Sequence, residues 1–161
     1  MTRRHLLLAA LVGGLFAPPA GAADHAYDGQ KTVTGETFAG ESCTIRVGGR
    51  SSVAGTYARP TGTVDVTLDG SSTLTLTGEA HKVVIRMANG QSTVDLRGLK
   101  VGAGGVEVKD MNGKSRLYVA GCAGPLDITA VDGGCEIRHK DGAKVVGRDN
   151  LKGGSKLVAE K

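Results

Sequence analysis

Tryptophan is absent from this 161-residue chain, and beyond Phe16 its only aromatic residues are Tyr27, Phe38, Tyr57 and Tyr118. Globular cores and sugar-stacking platforms both draw on aromatic rings, so neither is indicated. Three cysteines occur, but no Cys-x-x-Cys pair and no histidine at ligand spacing, which disfavours zinc. A Gly-x-Ser-x-Gly elbow and Gly-Gly-x-Gly-x-Asp calcium repeats are missing as well. His25, His81 and His139 are scattered, and no Ser, His and Asp triad assembles around them. No catalytic, cofactor-binding or metal-binding residue is therefore assigned. Charge is equally modest. The formal +4 includes Arg3 and Arg4, and without them the chain is near +2, which argues against nucleic acid or an anionic membrane as partner.

Only one long apolar run exists, Leu6 to Phe16, and it lies behind the positive pair Arg3-Arg4. Pro18 and Pro19 break it, and Ala20-Gly21-Ala22 offers the small-x-small pattern that signal peptidase accepts. That order predicts a secretory signal peptide over 1–22 and export to the periplasm or beyond. Eleven apolar residues at about 1.5 Å each span roughly half a bilayer core, so no transmembrane segment remains after cleavage. Thr2-Arg3-Arg4-His5-Leu6-Leu7 also resembles the twin-arginine export motif. The remainder, 23–161, is enough for one domain.

What is abundant is glycine, with 26 residues, alongside threonine and valine. That balance points to short strands joined by tight turns. Aligned on Gly29, Gly49, Gly70, Gly90, Gly113, Gly133 and Gly153, the chain repeats every 20 to 23 residues. Four residues after the anchors stand Val33, Val53, Leu74, Val94, Leu117, Ile137 and Leu157. Two residues before the later anchors stand Val47, Leu68, Ala88, Met111, Val131 and Leu151. In a chain that is 40% apolar, thirteen apolar residues in these places arise by chance about once in a hundred thousand. A third column, two residues after the anchor, is mostly serine: Ser51, Ser72, Ser92, Ser115 and Ser155, with Cys135 among them. Asp69-Gly70, Asn89-Gly90, Asn112-Gly113 and Asp132-Gly133 mark one tight corner per unit.

Such dipeptides also mark antiparallel hairpins, but hairpins need no fixed repeat, whereas a coil does. The columns therefore predict an all-β, right-handed parallel β-helix of about six to seven rungs, roughly 20 residues each, with an antiparallel barrel or sandwich as the competitor. Eighteen-residue turns of a left-handed hexapeptide helix do not fit the spacing. Two irregularities are expected: extra residues around Val101 to Gly105, and a slip of one position in the second strand between rungs two and three.

The Gly-x-Ser-x-aliphatic-x-aliphatic units (Gly70 to Leu76, Gly90 to Leu96, Gly113 to Val119) resemble secreted bacterial β-helix modules such as the auto-transporter adhesin head GIN domain. The likeness covers Gly29 to Lys161 and rests on repeat grammar; it implies a β-helix with an adhesive or envelope role. Polymerising β-helices of the bactofilin type match less well, because they lack a cleaved signal.

Cys122 and Cys135, on neighbouring rungs, are the candidate disulfide in an oxidising compartment, with Cys43 left over; Cys135 reads equally as a buried thiol in the serine column. The outward positions Thr32, Thr34, Ser52, Thr73, Thr75 and Thr93 form a candidate interaction face. The expected function is that of a non-enzymatic exported β-helix, structural or adhesive, in the cell envelope. The competing readings are a carbohydrate-binding or carbohydrate-active β-helix and a ligand- or ice-binding solenoid. Expected partners are an envelope or surface polymer, or a second copy meeting the exposed end rungs.

Overall fold

A computed structural model describes residues 21–161; the predicted signal segment falls almost wholly outside them. The chain forms a single twelve-stranded parallel sheet wound into stacked coils. In chain order the strands are β1 (Ala22–Tyr27), β2 (Thr32–Phe38), β3 (Ser42–Val47), β4 (Ser52–Leu68), β5 (Thr73–Ala88), β6 (Thr93–Val108), β7 (Arg116–Val119), β8 (Gly121–Cys122), β9 (Leu126–Ile128), β10 (Glu136–Lys140), β11 (Val145–Val146) and β12 (Lys156–Glu160). A 3₁₀ turn at Arg148–Asn150 is the one helical segment among the described residues.

β4, β5 and β6 are 17, 16 and 16 residues long. Straight strands of that length would run about 53 Å, yet each chain segment meets the next one only some twenty residues on. They must therefore bend around the coil, and the ladders break where they do, between Arg59 and Thr63 and between Ala80 and Lys82.

The predicted columns are the actual walls. Val33, Val53, Leu74, Val94, Leu117, Ile137 and Leu157 pair in an unbroken ladder. Val47, Leu68, Ala88, Met111, Val131 and Leu151 form the second. In the middle coils these residues are fully buried, and each large aliphatic side chain so buried contributes about 1.5–3 kcal/mol. Both irregularities are present. Gly102 to Gly104 bulge opposite His81, and the partners slip between Val66 and Thr67, which pair with Ile85 and Met87. The residues before the first full rung are not a mere lead-in: β1 pairs with β3 from Ala22–Ser42 to Tyr27–Val47.

The corners hold the stack in register. Gly70 and Gly90 have φ of 74° and 76°, the left-handed region where side chains are strained. In the first coils the carbonyl of the corner glycine accepts a backbone hydrogen bond from the next corner, Gly29 O from Arg50 N at 2.7 Å, Gly49 O from Ser71 N at 2.8 Å and Gly70 O from Gln91 N at 2.7 Å. That approach leaves no room for a Cβ: one added at Gly90 would overlap Gly70 O. Behind the corners the serines are buried yet satisfied. Ser72 Oγ donates to Val47 O at 3.0 Å, and Ser115 Oγ donates to Asn112 O at 2.9 Å.

The corner geometry separates two costs. Gly90→Ala meets strain and overlap together and is expected to destabilise by about 3 kcal/mol. Gly29→Ala has a φ of 88° but open space around the new carbon, and should cost about 1 kcal/mol from strain alone. Urea unfolding followed by circular dichroism checks the order; equal losses would show that the close approach contributes nothing.

Candidate interaction face

The wall that follows each corner turns alternate side chains outward, because successive residues of a strand point to opposite faces. Thr32, Ser52, Thr73 and Thr93 stand in one column, continued by Arg116, Glu136 and Lys156. Ala54, Thr75, Asp95, Tyr118 and Arg138 stand in the next. Of the six predicted face residues, five fall in these ladders. Thr34 does not: the register shifts between Val33 and Glu36, with Gly35 at φ 72°, so Thr34 sits in a bulge.

A third column was missed in the sequence. Thr37, Thr56 and Thr77 are paired, exposed neighbours, and Thr56 Oγ1 lies 2.9 Å from Thr77 Oγ1. The Gly35 bulge hides Thr37 from a count along the chain. Its signal was Thr77, two residues beyond Thr75 on the same side of the strand. Over the first three coils the face thus has two hydroxyl columns, Thr32–Ser52–Thr73 and Thr37–Thr56–Thr77, flanking a middle column in which only Thr75 carries a hydroxyl.

From Asp95 onward it changes character. Arg97 Nη2 pairs with Asp95 Oδ2 at 2.6 Å, and its guanidinium lies 4.8 Å above the Tyr118 ring. Arg138 approaches the same ring at 5.8 Å, pairs with Glu136 and reaches Glu160 Oε1 at 3.4 Å. One tyrosine thus sits between two arginines, each tied to its own carboxylate. The hydrogen bonds from Arg97 hold the Asp95 carboxyl below its ordinary range. On the wall before the corner, Lys82 (2.7 Å) and Lys109 (3.4 Å) flank Glu107, and the Lys82 hydrogen bond lowers its pKa.

The cysteines are three free thiols. The pair Cys122 and Cys135 is not joined, because the two side chains occupy different walls. Cys122 registers with Val101, and its thiol donates to Gly124 O at 3.1 Å. Cys135 lies in the serine column, donating to Asp132 O at 3.0 Å while Ser155 Oγ accepts from its N–H at 3.1 Å. Burial pushes the Cys43 thiol up to about 11 and raises the other two. Cys122 and His139 line a cavity of about 240 Å³ with Val119, Leu126 and Gly142. His139 is buried, and its Nδ1–H donates to Lys140 O at 2.8 Å. His25 packs edge-on against Phe38 with ring centroids 5.0 Å apart. Among the described residues no three His, Cys, Asp or Glu side chains gather as a metal site.

Three measurements follow from this chemistry. Alkylation after denaturation without reductant is expected to label all three cysteines, whereas a Cys122–Cys135 bridge would leave only Cys43. In the native chain at neutral pH, Cys43 should react at least about a hundredfold more slowly than an exposed thiol, from its scarce thiolate alone. The lowered carboxyls of Asp95 and Glu107 stabilise the fold above their unfolded values, near pH ~4, and that contribution is lost as pH falls through the folded values. Asp95→Asn should therefore flatten the acid limb of a stability–pH curve, by less than about 1 kcal/mol for a pair this close to solvent. An unchanged limb would mean the pair is energetically silent.

No protein-family model, curated protein or solved structure matches this chain, so a functional reading must come from its own surface.

Proposed function

We propose that the chain is a non-enzymatic β-solenoid that serves the cell envelope as a structural or adhesive module, exported by the signal peptide over 1–22. The observation that carries this reading is the first wall: a hydroxyl array on the exposed Thr32, Ser52, Thr56 and Thr77 and the half-buried Thr73, held in register by a ladder whose interior columns stay apolar. Small hydroxyls fixed at strand spacing suit an extended, hydroxyl- or amide-bearing polymer, which meets many weak contacts at once. Against a hydrolytic role stands the electrostatics. Glycoside cleavage by paired carboxyls needs one of them held protonated near neutral pH, whereas Arg97 and Lys82 keep Asp95 and Glu107 ionised. An ice-binding role asks for more regularity than Ala54 and Asp95 leave in the second column.

Cell fractionation tests the first half of the reading: the chain should leave the cytoplasm with Ala23 as its first residue. Co-sedimentation with isolated cell-wall polymer tests the second. The purified chain should pellet with the polymer, and a Thr73→Lys/Thr75→Lys variant, which folds but carries bulky charge on the face, should bind about tenfold more weakly. Retention in the cytoplasm would defeat the envelope role, and failure of the native chain to pellet would defeat the adhesive one. Thermal hysteresis in a freezing assay would favour the ice-binding alternative.

A further inference from the structure

The two ends of the rod differ from its middle in ways that complement each other. Tyr27 and Val33 at one end, and Val145, Leu151 and Leu157 at the other, are only half-buried members of columns that are sealed elsewhere. Val146, 43% exposed, is the one large apolar side chain open to solvent among the described residues, and it too lies at the second end. Among those residues β1 and β2 are bonded on one side only, to β3 and β4, and so are β11 and β12, to β9 and β10. Charge divides the same way. From Ala22 to Val47 four acids face two lysine or arginine residues; from Lys140 to Lys161 six such bases face three acids. Lys140, Lys144, Arg148, Lys152 and Lys156 make no ion pair among the described residues.

We propose that a second copy of this chain seats its first rung on the last rung of the copy before it, head to tail, and so continues the parallel ladder. The fit is one of register. Tyr27 and Val33 belong to the same two columns as Leu151 and Leu157, and each pair is separated by six residues across a glycine corner. Seated in that register, Tyr27 covers Leu151, Val33 covers Leu157, and Asp28 comes beside Lys152. The Gly29 corner has open space on the side where every interior corner carries a neighbour. About seven rungs at ~4.8 Å separate the ends by roughly 30 Å, some three Debye lengths at physiological salt, so the acidic and basic ends act as distinct poles. Like poles repel, which selects head-to-tail over head-to-head contact. Such a heterologous contact does not close on itself and extends a rod. The proposal stands apart from whatever the threonine face binds, and it concerns the chain after removal of 1–22.

Sedimentation velocity on the processed chain, from micromolar to near-millimolar concentration and at low and high salt, tests it. The mean mass should climb past the dimer with concentration and fall back as salt is added. Lys152→Glu should raise the concentration needed for assembly about tenfold, and Asp28→Lys together with Lys152→Glu should restore it. Lysine is compatible with this corner position, since Lys152 already occupies it in the last rung. A strict monomer throughout, a dimer that grows no further, or assembly indifferent to both salt and charge reversal would each overturn the proposal. If a variant fails to fold, the concentration and salt series on the native chain decides alone.

Discussion

From Gly49 to Gly90 each corner rests on the carbonyl oxygen of the glycine one coil back, which accepts a hydrogen bond from the residue that follows the next glycine. That single contact requires a residue with no side chain and a left-handed backbone, and it recurs at every coil from Gly49 to Gly90. With corners pinned in this way, the following strand has no freedom of register. Val53 must lie on Val33 and Leu74 on Val53, because a slip of one residue would turn the buried set outward. The buried serines extend the same logic inward. Their hydroxyls donate to backbone carbonyls beside the corners, so neither Ser72 nor Ser115 leaves a polar group unpaired in an apolar interior.

Fixing the interior this firmly frees the exterior to vary. The hydroxyl array of the first coils gives way at Asp95 to the arginine–tyrosine–arginine stack, although the ladder beneath runs on through Val94, Leu117 and Ile137 without change. Two chemically different surfaces thus share one scaffold, on the same wall, and the border between them is a single coil. In a globular core such a change would alter packing; in a solenoid each rung meets only its neighbours, so the cost stays local.

The interior was legible from the sequence for the same reason that it is rigid. A residue that must repeat at fixed spacing announces itself, as the Leu74 and Leu68 columns did, and the extra residues at Gly102 to Gly104 showed as a longer interval. Outer features were legible only where the count along the chain stayed in phase. Thr34 kept the spacing but sits in a bulge, while Thr37 lost it and yet stands in register with Thr56. Cys122 and Cys135 illustrate the other limit. Neighbouring rungs place two residues close along the rod, but which wall each one occupies depends on short, irregular connections such as Gly121–Cys122, for which the sequence has no column.

That second, short wall is also where the two ends of the molecule part company. Near the start it is filled by rings: Phe38 pairs with Tyr57, whose hydroxyl donates to Gly40 O at 2.8 Å and occupies the space that Gly62 leaves by having no side chain. Farther on, Leu99 takes the place of the rings, and then the wall shrinks to Gly121–Cys122 and opens into the cavity beside His139. Lost dispersion contacts around such a space weaken the coils that line it. Because stability in a stacked rod is a sum over neighbouring rungs, opening begins where the neighbours are fewest and the filling poorest. Both conditions meet at the coils formed by β10, β11 and β12. The aromatic-filled coils are therefore the better packed, and the coils beside the cavity gain most from any surface laid against them.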